Sequence, residues 1–276
     1  MDARAFSFEF FPPRTAEGKV KLRATWQELA KLKPRFFSCT YGAGGSTREG
    51  TLETVLDIRA AGHEAAPHIS CVASTRDDVG VQLERYKSHG IRHIVALRGD
   101  LPSGLGASGE FRYANELVRF IRERTGDWFH IEVACYPEYH PQTRWARDEL
   151  VAFKRKIEAG ANAAITQYFY NVDAYFRFVD EARKAGIQVP IVPGIMPINN
   201  FSQLARFSEA CGAEIPRWMR IKLEGYHDDT AAIRAFGLDC VTDLCRRLLE
   251  GGAPGLHFYT LNQSALSAEI WKRLGL

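Results

Sequence analysis

The stretch FSFEFFPPRT, residues 6–15, places one carboxylate, Glu9, among four phenylalanines. In a β-strand, alternation puts Ser7, Glu9 and Phe11 on one face and Phe6, Phe8 and Phe10 on the other. A lone carboxylate among aromatic rings is desolvated, so we expect its pKa to rise. A carboxyl group that stays partly protonated near neutral pH is a candidate general acid. The alternative is a buried glutamate that pairs with an arginine or lysine across the fold.

Other groups that could do chemistry follow short apolar runs. The backbone amides of TYGAGGST, residues 40–47, could approach a phosphate at the start of a helix. Arg98, Gly99 and Asp100 place a cation and an anion after another apolar run, although a turn with a surface ion pair would look the same. Lys156 could reach a diphosphate, but its basic run also suits a solvated helix face. The histidines show no HxH spacing and the cysteines no CxxC pair, so we predict no metal site.

Strands and helices must position these groups. Short apolar runs alternate with longer amphipathic runs, without a linker or a break in composition, which indicates a single domain over residues 1–276. Eight such repeats in about 250 residues predict an α/β fold, a closed (β/α)8 TIM barrel. The alternative is an open doubly wound sheet, but Pro12 and Pro13 stand where that fold commonly has GxGxxG. The predicted strands are residues 6–11, 35–39, 65–71, 91–97, 130–135, 163–168, 189–192 and 256–261. The predicted helices are residues 17–32, 47–61, 76–89, 113–125, 148–159, 172–185, 201–211, 230–250 and 264–274.

Polar residues and glycines gather at one end of the predicted strands. Nearly every predicted carboxyl end carries such a group, whereas the opposite ends are plain turns such as KLKPR and IEAGANA. In barrel enzymes the active site lies at the carboxyl ends of the strands. The asymmetry therefore predicts one functional rim.

Composition narrows the possible partners. The net charge is only +3, which argues against nucleic acid or an anionic membrane as a partner. The N-terminus MDARAF has no apolar signal core, and no apolar stretch is long enough to span a bilayer. The six cysteines, three of them in apolar strand-like runs, indicate reduced thiols and a cytoplasmic location.

Eight segments, in this order, resemble the methylenetetrahydrofolate reductase family: FSFEFFPPRT, TYGAGGST, APHISC, IVALRGDLP, EVACYPEYHP, FKRKIEAGANAAITQYFYN, VPGIMPINNF and GLHFYTLN. The resemblance covers essentially the whole chain and implies a catalytic barrel without a regulatory domain. It implies FAD as cofactor and NADH or NADPH as electron donor. In a ping-pong reaction, 5,10-methylenetetrahydrofolate would be reduced to 5-methyltetrahydrofolate. It also implies a homo-oligomer, a dimer or a tetramer.

The same resemblance implies roles for individual residues. Glu9 matches the family's catalytic acid, which protonates N10 of the folate and opens its five-membered ring. Asp100 matches a catalytic aspartate close to the flavin and the pterin, where a carboxylate favours the cationic iminium. Matches to FAD-binding positions are Tyr41, Ala43, His68, Arg98, Gly99, Asp100, Tyr113, Ala114, Tyr136, His140, Glu149 and Lys156. Matches to positions that contact the folate or the nicotinamide are Thr40, Gln167, Gln203, Phe207 and Gln263.

Two of these positions leave alternatives open. Gln263 stands where the family commonly has an arginine, and glutamine cannot pair with a carboxylate as arginine does. Phe207 would otherwise be a core residue of an amphipathic helix. A flavin barrel with another acceptor and a non-catalytic subunit of a larger complex are the alternative functions. The presence of both Glu9 and Asp100 favours the reductase.

Overall fold

The computed structural model describes residues 4–42, 47–99 and 109–276. Within them, nine parallel strands form one sheet that curves into a nearly closed barrel, and ten helices lie between and after the strands. The strands are β1 (Ala5–Phe10), β2 (Phe36–Cys39), β3 (Ala65–Ser70), β4 (His93–Leu97), β5 (His130–Cys135), β6 (Ala163–Thr166), β7 (Ile191–Val192), β8 (Gly194–Ile195) and β9 (Gly255–Tyr259). The helices are α1 (Ala16–Ala30), α2 (Arg48–Ala60), α3 (Arg76–Ser88), α4 (Ala114–Thr125), α5 (Ala146–Glu158), α6 (Val172–Lys184), α7 (Phe201–Cys211), α8 (Arg217–Gly225), α9 (Thr230–Glu250) and α10 (Ala265–Leu274).

The barrel closes through a seventh strand that Pro193 divides into two pieces. β7 pairs with β6, and β8 pairs with β9, which in turn pairs with β1. Proline has no backbone N–H to donate to a neighbouring strand. At the break, Gly194 N instead donates to Thr166 Oγ1 at 2.9 Å, and Pro193 O accepts from His257 N at 3.0 Å. The predicted eight-stranded barrel is therefore confirmed, with its seventh strand in two short parts.

The outer face of the barrel forms the main apolar core. Phe8 and Phe10 of β1 are buried there, against the helices and the neighbouring strands. The Phe8 ring lies 5.4 Å from the Phe258 ring and 6.0 Å from the Trp271 ring of α10. Burying one such side chain contributes about 1.5–3 kcal/mol to stability. The phenylalanines around Glu9 thus attach β1 to the helical layer.

The inner face of the barrel is polar, with one small apolar cluster inside it. Phe36, Ala66, Val95 and Ile165 form this inner apolar cluster. Since side chains alternate along a strand, Glu9 points to the inner face while Phe8 and Phe10 point outward. The inner apolar cluster separates Glu9 and its partners from a second polar group that includes His93.

Side-chain caps mark the starts of five of the ten described helices, α1, α3, α6, α7 and α9. The α3 helix begins with a capping box, in which Asp78 N donates to Thr75 Oγ1 at 3.1 Å and Thr75 N donates to Asp78 Oδ2 at 3.0 Å. Both ends of each predicted helix lie within two residues of the observed bounds. The α8 helix was not predicted. Among the described residues, no helix is both long and apolar enough to cross a membrane.

Candidate active site

A cavity of about 850 Å³ opens at the carboxyl ends of the strands. This is the rim that the sequence predicts, and the volume lies within the range typical of ligand sites. The cavity brings together side chains from most of the strands and from α4 and α5. The predicted site residues that line it are Glu9, Thr40, Tyr41, His68, Arg98, Gly99, Tyr113, Ala114, Tyr136, His140, Glu149, Lys156 and Gln167.

The remaining predicted site residues do not line this cavity or cannot be placed. Ala43 and Asp100 lie outside the described residues. Gln203 and Phe207 lie on α7, where Phe207 is 37% exposed; the alternative that Phe207 is a core residue is therefore wrong. Gln263 is exposed, and its Oε1 accepts a hydrogen bond from Asn199 Nδ2 at 2.8 Å. For Gln203, Phe207 and Gln263, substrate contact remains a prediction.

Glu9 lies at the cavity wall in contact with two histidines from distant parts of the chain. His257 Nε2 is 3.2 Å from Glu9 Oε2, and His257 Nδ1 is 2.7 Å from Ser7 Oγ. His68 Nε2 lies 3.3 Å from the same carboxylate oxygen, within ion-pair reach but without hydrogen-bond geometry. Both imidazoles are buried, at 6% and 0% side-chain exposure for His68 and His257. The carboxyl group is therefore held in one position by imidazoles.

The expected rise in the pKa of Glu9 is wrong. Burial acts to raise the pKa, as the sequence suggested, but positive charge on His68 and the hydrogen bond with His257 outweigh it and lower the pKa to about 2. The alternative of a buried ion pair is closer to the structure, with histidine in place of arginine or lysine. The lowering depends on positive charge on the imidazoles, because a neutral ring stabilises the carboxylate much less.

The α5 helix supplies a buried cation to the opposite wall of the cavity. Lys156 Nζ donates to Ala134 O at 2.6 Å and lies 5.8 Å from the centre of the Tyr136 ring. Burial lowers the pKa of Lys156, and the charge of Glu149 opposes this effect. Glu149 is buried and accepts from His140 N at 3.1 Å and from Thr143 Oγ1 at 2.9 Å. Lys156 thus ties α5 to β5, and Glu149 ties α5 to the loop after β5.

Gly99 sits where a side chain would not fit. Its φ is +87°, and a Cβ there would lie 1.9 Å from Ser70 Oγ. Ser70 Oγ and Val72 N both donate to Arg98 O at 2.8 Å, which fixes the peptide just before the glycine. Arg98 Nη1 donates to Gln142 Oε1 at 2.7 Å and so reaches across to the loop after β5. Packing against Ser70 therefore requires a glycine at this point of the cavity lining.

The structure adds residues that sequence reasoning missed. Arg144 and Arg155 line the cavity beside Lys156, and Tyr259 donates from its hydroxyl to Thr166 O at 2.7 Å at the cavity wall. Helical spacing from Glu149 and Lys156 could have indicated the side of α5 that faces the cavity. His257 gave no local signal, since its contact with Glu9 follows only from the pairing of β1 with β9.

Comparison with known proteins identifies the family. The family model described as methylenetetrahydrofolate reductase matches residues 1–275. The chain belongs to the methylenetetrahydrofolate reductase family. As a member of this family, it is an oxidoreductase that reduces methylenetetrahydrofolate. The resemblance inferred from the eight sequence segments is confirmed.

Individual relatives agree with this assignment. The 5,10-methylenetetrahydrofolate reductase of Salmonella typhimurium is 43% identical over 271 residues, which span 98% of this chain and 90% of the relative. The methylenetetrahydrofolate reductase (NADH) 1 of Arabidopsis thaliana is 38% identical over 99% of this chain, but the match covers only 48% of the plant protein. The chain therefore corresponds to about half of the plant reductase.

A solved structure supports the fold of this reductase family member. It is described as an uncharacterized protein from Clostridium thermocellum that binds two copies of 5-methyl-5,6,7,8-tetrahydrofolic acid. It superposes with a TM-score of 0.68 and 16% identity, over 99% of this chain and 94% of that chain. At this low identity the likeness supports the barrel architecture alone.

Proposed function

We propose that the chain reduces 5,10-methylenetetrahydrofolate to 5-methyltetrahydrofolate with FAD as cofactor and NADH or NADPH as donor, in a ping-pong reaction. The observation that carries the proposal is one cavity with a partly buried carboxyl group, Glu9, on one wall and a buried ammonium group, Lys156, on the other. Glu9 lies on β1, and Lys156 packs against β5, four strands away in the sheet order. An acid and an anion-binding group thus face one cavity.

The cavity lining fits a flavin dinucleotide. Among the described residues, Arg98, Arg144, Arg155 and Lys156 line the cavity, which suits the negative charges of a diphosphate. Gly99 adds backbone without a side chain to the lining, and Tyr136 and His140 contribute rings 4.8 Å apart in an edge-on arrangement. When bound, FAD would supply the redox chemistry by taking electrons from the nicotinamide and returning them to the folate.

Glu9 is the proposed general acid toward N10 of the folate. In the arrangement described, the contacts with His68 and His257 lower the pKa of Glu9, which favours its ionised form. His257 Nε2 lies 3.2 Å and His68 Nε2 lies 3.3 Å from Glu9 Oε2, so both imidazoles contact the group that must carry the proton. A bound ligand that removes water from the carboxylate raises the pKa and moves the proton toward Glu9. Glu9 would then act as the acid, with His257 as its hydrogen-bond partner.

The other proposed roles follow the family resemblance and the lining of the cavity. Thr40 and Gln167 line the cavity, where they would contact the nicotinamide, and Gln167 would also contact the pterin. Asp100 keeps its proposed catalytic role beside the flavin. All six cysteines are free, which supports a reducing, cytoplasmic setting. The homo-oligomeric state also remains part of this proposal.

The experiment is an anaerobic visible spectrum of the purified full chain reconstituted with FAD. NADH or NADPH is added first, and methylenetetrahydrofolate is added after the flavin band has bleached. We expect bleaching with at least one donor, followed by recovery with the folate. Bleaching without recovery would point to a different acceptor, and a chain that does not bind FAD would overturn the proposal.

The Glu9→Gln variant tests the acid separately from the redox steps. It should still bleach with the nicotinamide, whereas recovery with folate should slow by about 100-fold or more, as expected for loss of a general acid. Glu123→Gln, at an exposed position on α4, is the matched control and should behave as wild type. Equal losses in both half-reactions would refute the role assigned to Glu9.

A further inference from the structure

A second cluster of polar side chains lies inside the barrel at the amino-terminal ends of the strands. His93 is the first residue of β4, and His130 is the first residue of β5. The two are direct partners in the register, so their side chains leave the sheet on the same face. Glu132, two residues after His130, also points to that face. Strand pairing thus brings together two imidazoles and one carboxylate.

The distances within this cluster suit a metal ion. His93 Nε2 is 3.0 Å and His130 Nε2 is 3.9 Å from Glu132 Oε1, and one ligand atom from each residue lies within 4.8 Å of the others. A tetrahedral ion with bonds of about 2.0–2.2 Å needs separations of roughly 3.3–3.6 Å. The His130 side chain is 41% exposed, so a modest rotation of its ring can close the set.

An unpartnered carboxylate oxygen points independently to a missing ligand. Glu132 is 5% exposed, and its Oε2 is buried without a hydrogen-bond partner among the described residues. A buried carboxylate oxygen without a partner carries the full cost of desolvation. The hydrogen bond between His93 and Glu132 involves the other oxygen, Oε1, and leaves this cost in place. A cation bound by Glu132 Oε2 would remove it.

We propose that His93, His130 and Glu132 bind one Zn²⁺ ion, with water as a fourth ligand on the amino-terminal face of the barrel. Two histidines and one glutamate are a known ligand set for zinc with an open position. The prediction of no metal site from the sequence was based only on the spacing of histidines and cysteines along the chain. Pairing of β4 with β5 creates a set that such spacing does not show.

This proposed zinc site is distinct from the active-site cavity. None of its three residues lines the cavity, and the inner apolar cluster lies between, with the Phe36 ring 4.2 Å from that of His93. Two cations, Arg35 and Arg122, lie within electrostatic range of His130. Arg122 is engaged by backbone oxygens, among them Gly160 O at 2.8 Å. The negative charge that faces the ion comes from Glu132.

The test uses the full chain without an affinity tag, freed of metal with a chelator and titrated with Co²⁺ as a spectroscopic substitute for Zn²⁺. We expect one equivalent to bind, with visible d–d absorption and no near-ultraviolet thiolate band. Zn²⁺ should displace Co²⁺ and raise the melting temperature, because a ligand that binds only the folded state stabilises it. Failure of both signals to appear would overturn the proposal.

Variants separate this site from binding elsewhere. His130→Gln and Glu132→Gln should each weaken Co²⁺ binding by more than about 100-fold, the upper range for loss of an outer-shell partner. His89→Gln, which removes an exposed histidine at the end of α3, is the matched control and should bind as wild type. Unchanged binding in both site variants would place the metal elsewhere and refute the assignment. Flavin bleaching by the nicotinamide reports on the active site in the same samples.

Discussion

Replacing Glu138 with glutamine should reduce the pH dependence of stability between about pH 5 and pH 8. Glu138 lies in the loop after β5, between the cavity residues Tyr136 and His140. Its Oε2 accepts from Glu214 N at 2.8 Å, while its Oε1 is buried without a partner among the described residues. Burial raises the pKa of Glu138 to about 7, although the hydrogen bond from Glu214 N opposes the rise.

The sign and size of the effect follow from this shift. The folded chain keeps the proton up to about pH 7, whereas the unfolded chain loses it near the ordinary value of 4.5. Stability from this group is therefore complete below about pH 4.5 and is lost as the pH rises through about 7. An isolated group would lose about 2.5 kcal/mol between about pH 5 and pH 8. Because Glu138 is only partly buried, screening by solvent reduces the expected loss to about 1 kcal/mol.

The assay is urea unfolding at both pH values for the wild type, Glu138→Gln and the exposed control Glu123→Gln. Glutamine keeps an oxygen for Glu214 N but has no proton to lose in this range. The decrease in unfolding free energy from low to high pH should be smaller by about 1 kcal/mol in Glu138→Gln alone. An equal decrease in all three proteins would show that Glu138 is not held in the environment described.

Two further predictions concern the cavity. Infrared difference spectra between wild type and Glu9→Gln at about pH 4 should show loss of an ionised carboxylate, since the lowered pKa keeps Glu9 charged until the pH falls toward 2; loss of a protonated carboxyl band would refute the histidine pairing. Gly99→Ala should destabilise the chain by more than the roughly 1 kcal/mol expected of Gly62→Ala, measured by urea unfolding. Both glycines have φ +87°, but only Gly99 has a neighbour in the way, so equal costs would contradict the crowding at Ser70.

The barrel could be predicted from sequence because its elements are marked locally. Apolar runs and caps such as Thr75 with Asp78 place helix and strand ends within two residues. The divided seventh strand was not predicted, because its second half, Gly194–Ile195, is set by pairing with β9. The α8 helix was missed because exposed Trp218 and Ile221 interrupt the pattern of its buried residues Met219 and Leu223.

The residues of the site could be predicted from the sequence, but their electrostatic contacts could not. Thirteen predicted residues line one cavity, since the carboxyl ends of parallel strands meet at one rim. The predicted rise in the pKa of Glu9 was wrong because the sequence shows only the residues next to Glu9 in the chain. The groups that interact with its charge are His68 and His257. A pKa depends on the charges within a few ångströms, and in a parallel sheet these come from strands far apart in sequence.

The inner apolar cluster explains how one barrel can hold two polar sites. Phe36 lies between the groups, with its ring 4.2 Å from that of His93 and 6.2 Å from that of His257. Val95 and Ile165 of the same cluster line the active-site cavity. Among the described residues, no hydrogen bond joins the Glu9 group, with His257 and Ser7, to the Glu132 group, with His93. Charge still acts across such a layer, because a low-dielectric medium screens it weakly. An ion at Glu132 would therefore influence His257 through space, without a bonded connection to the acid.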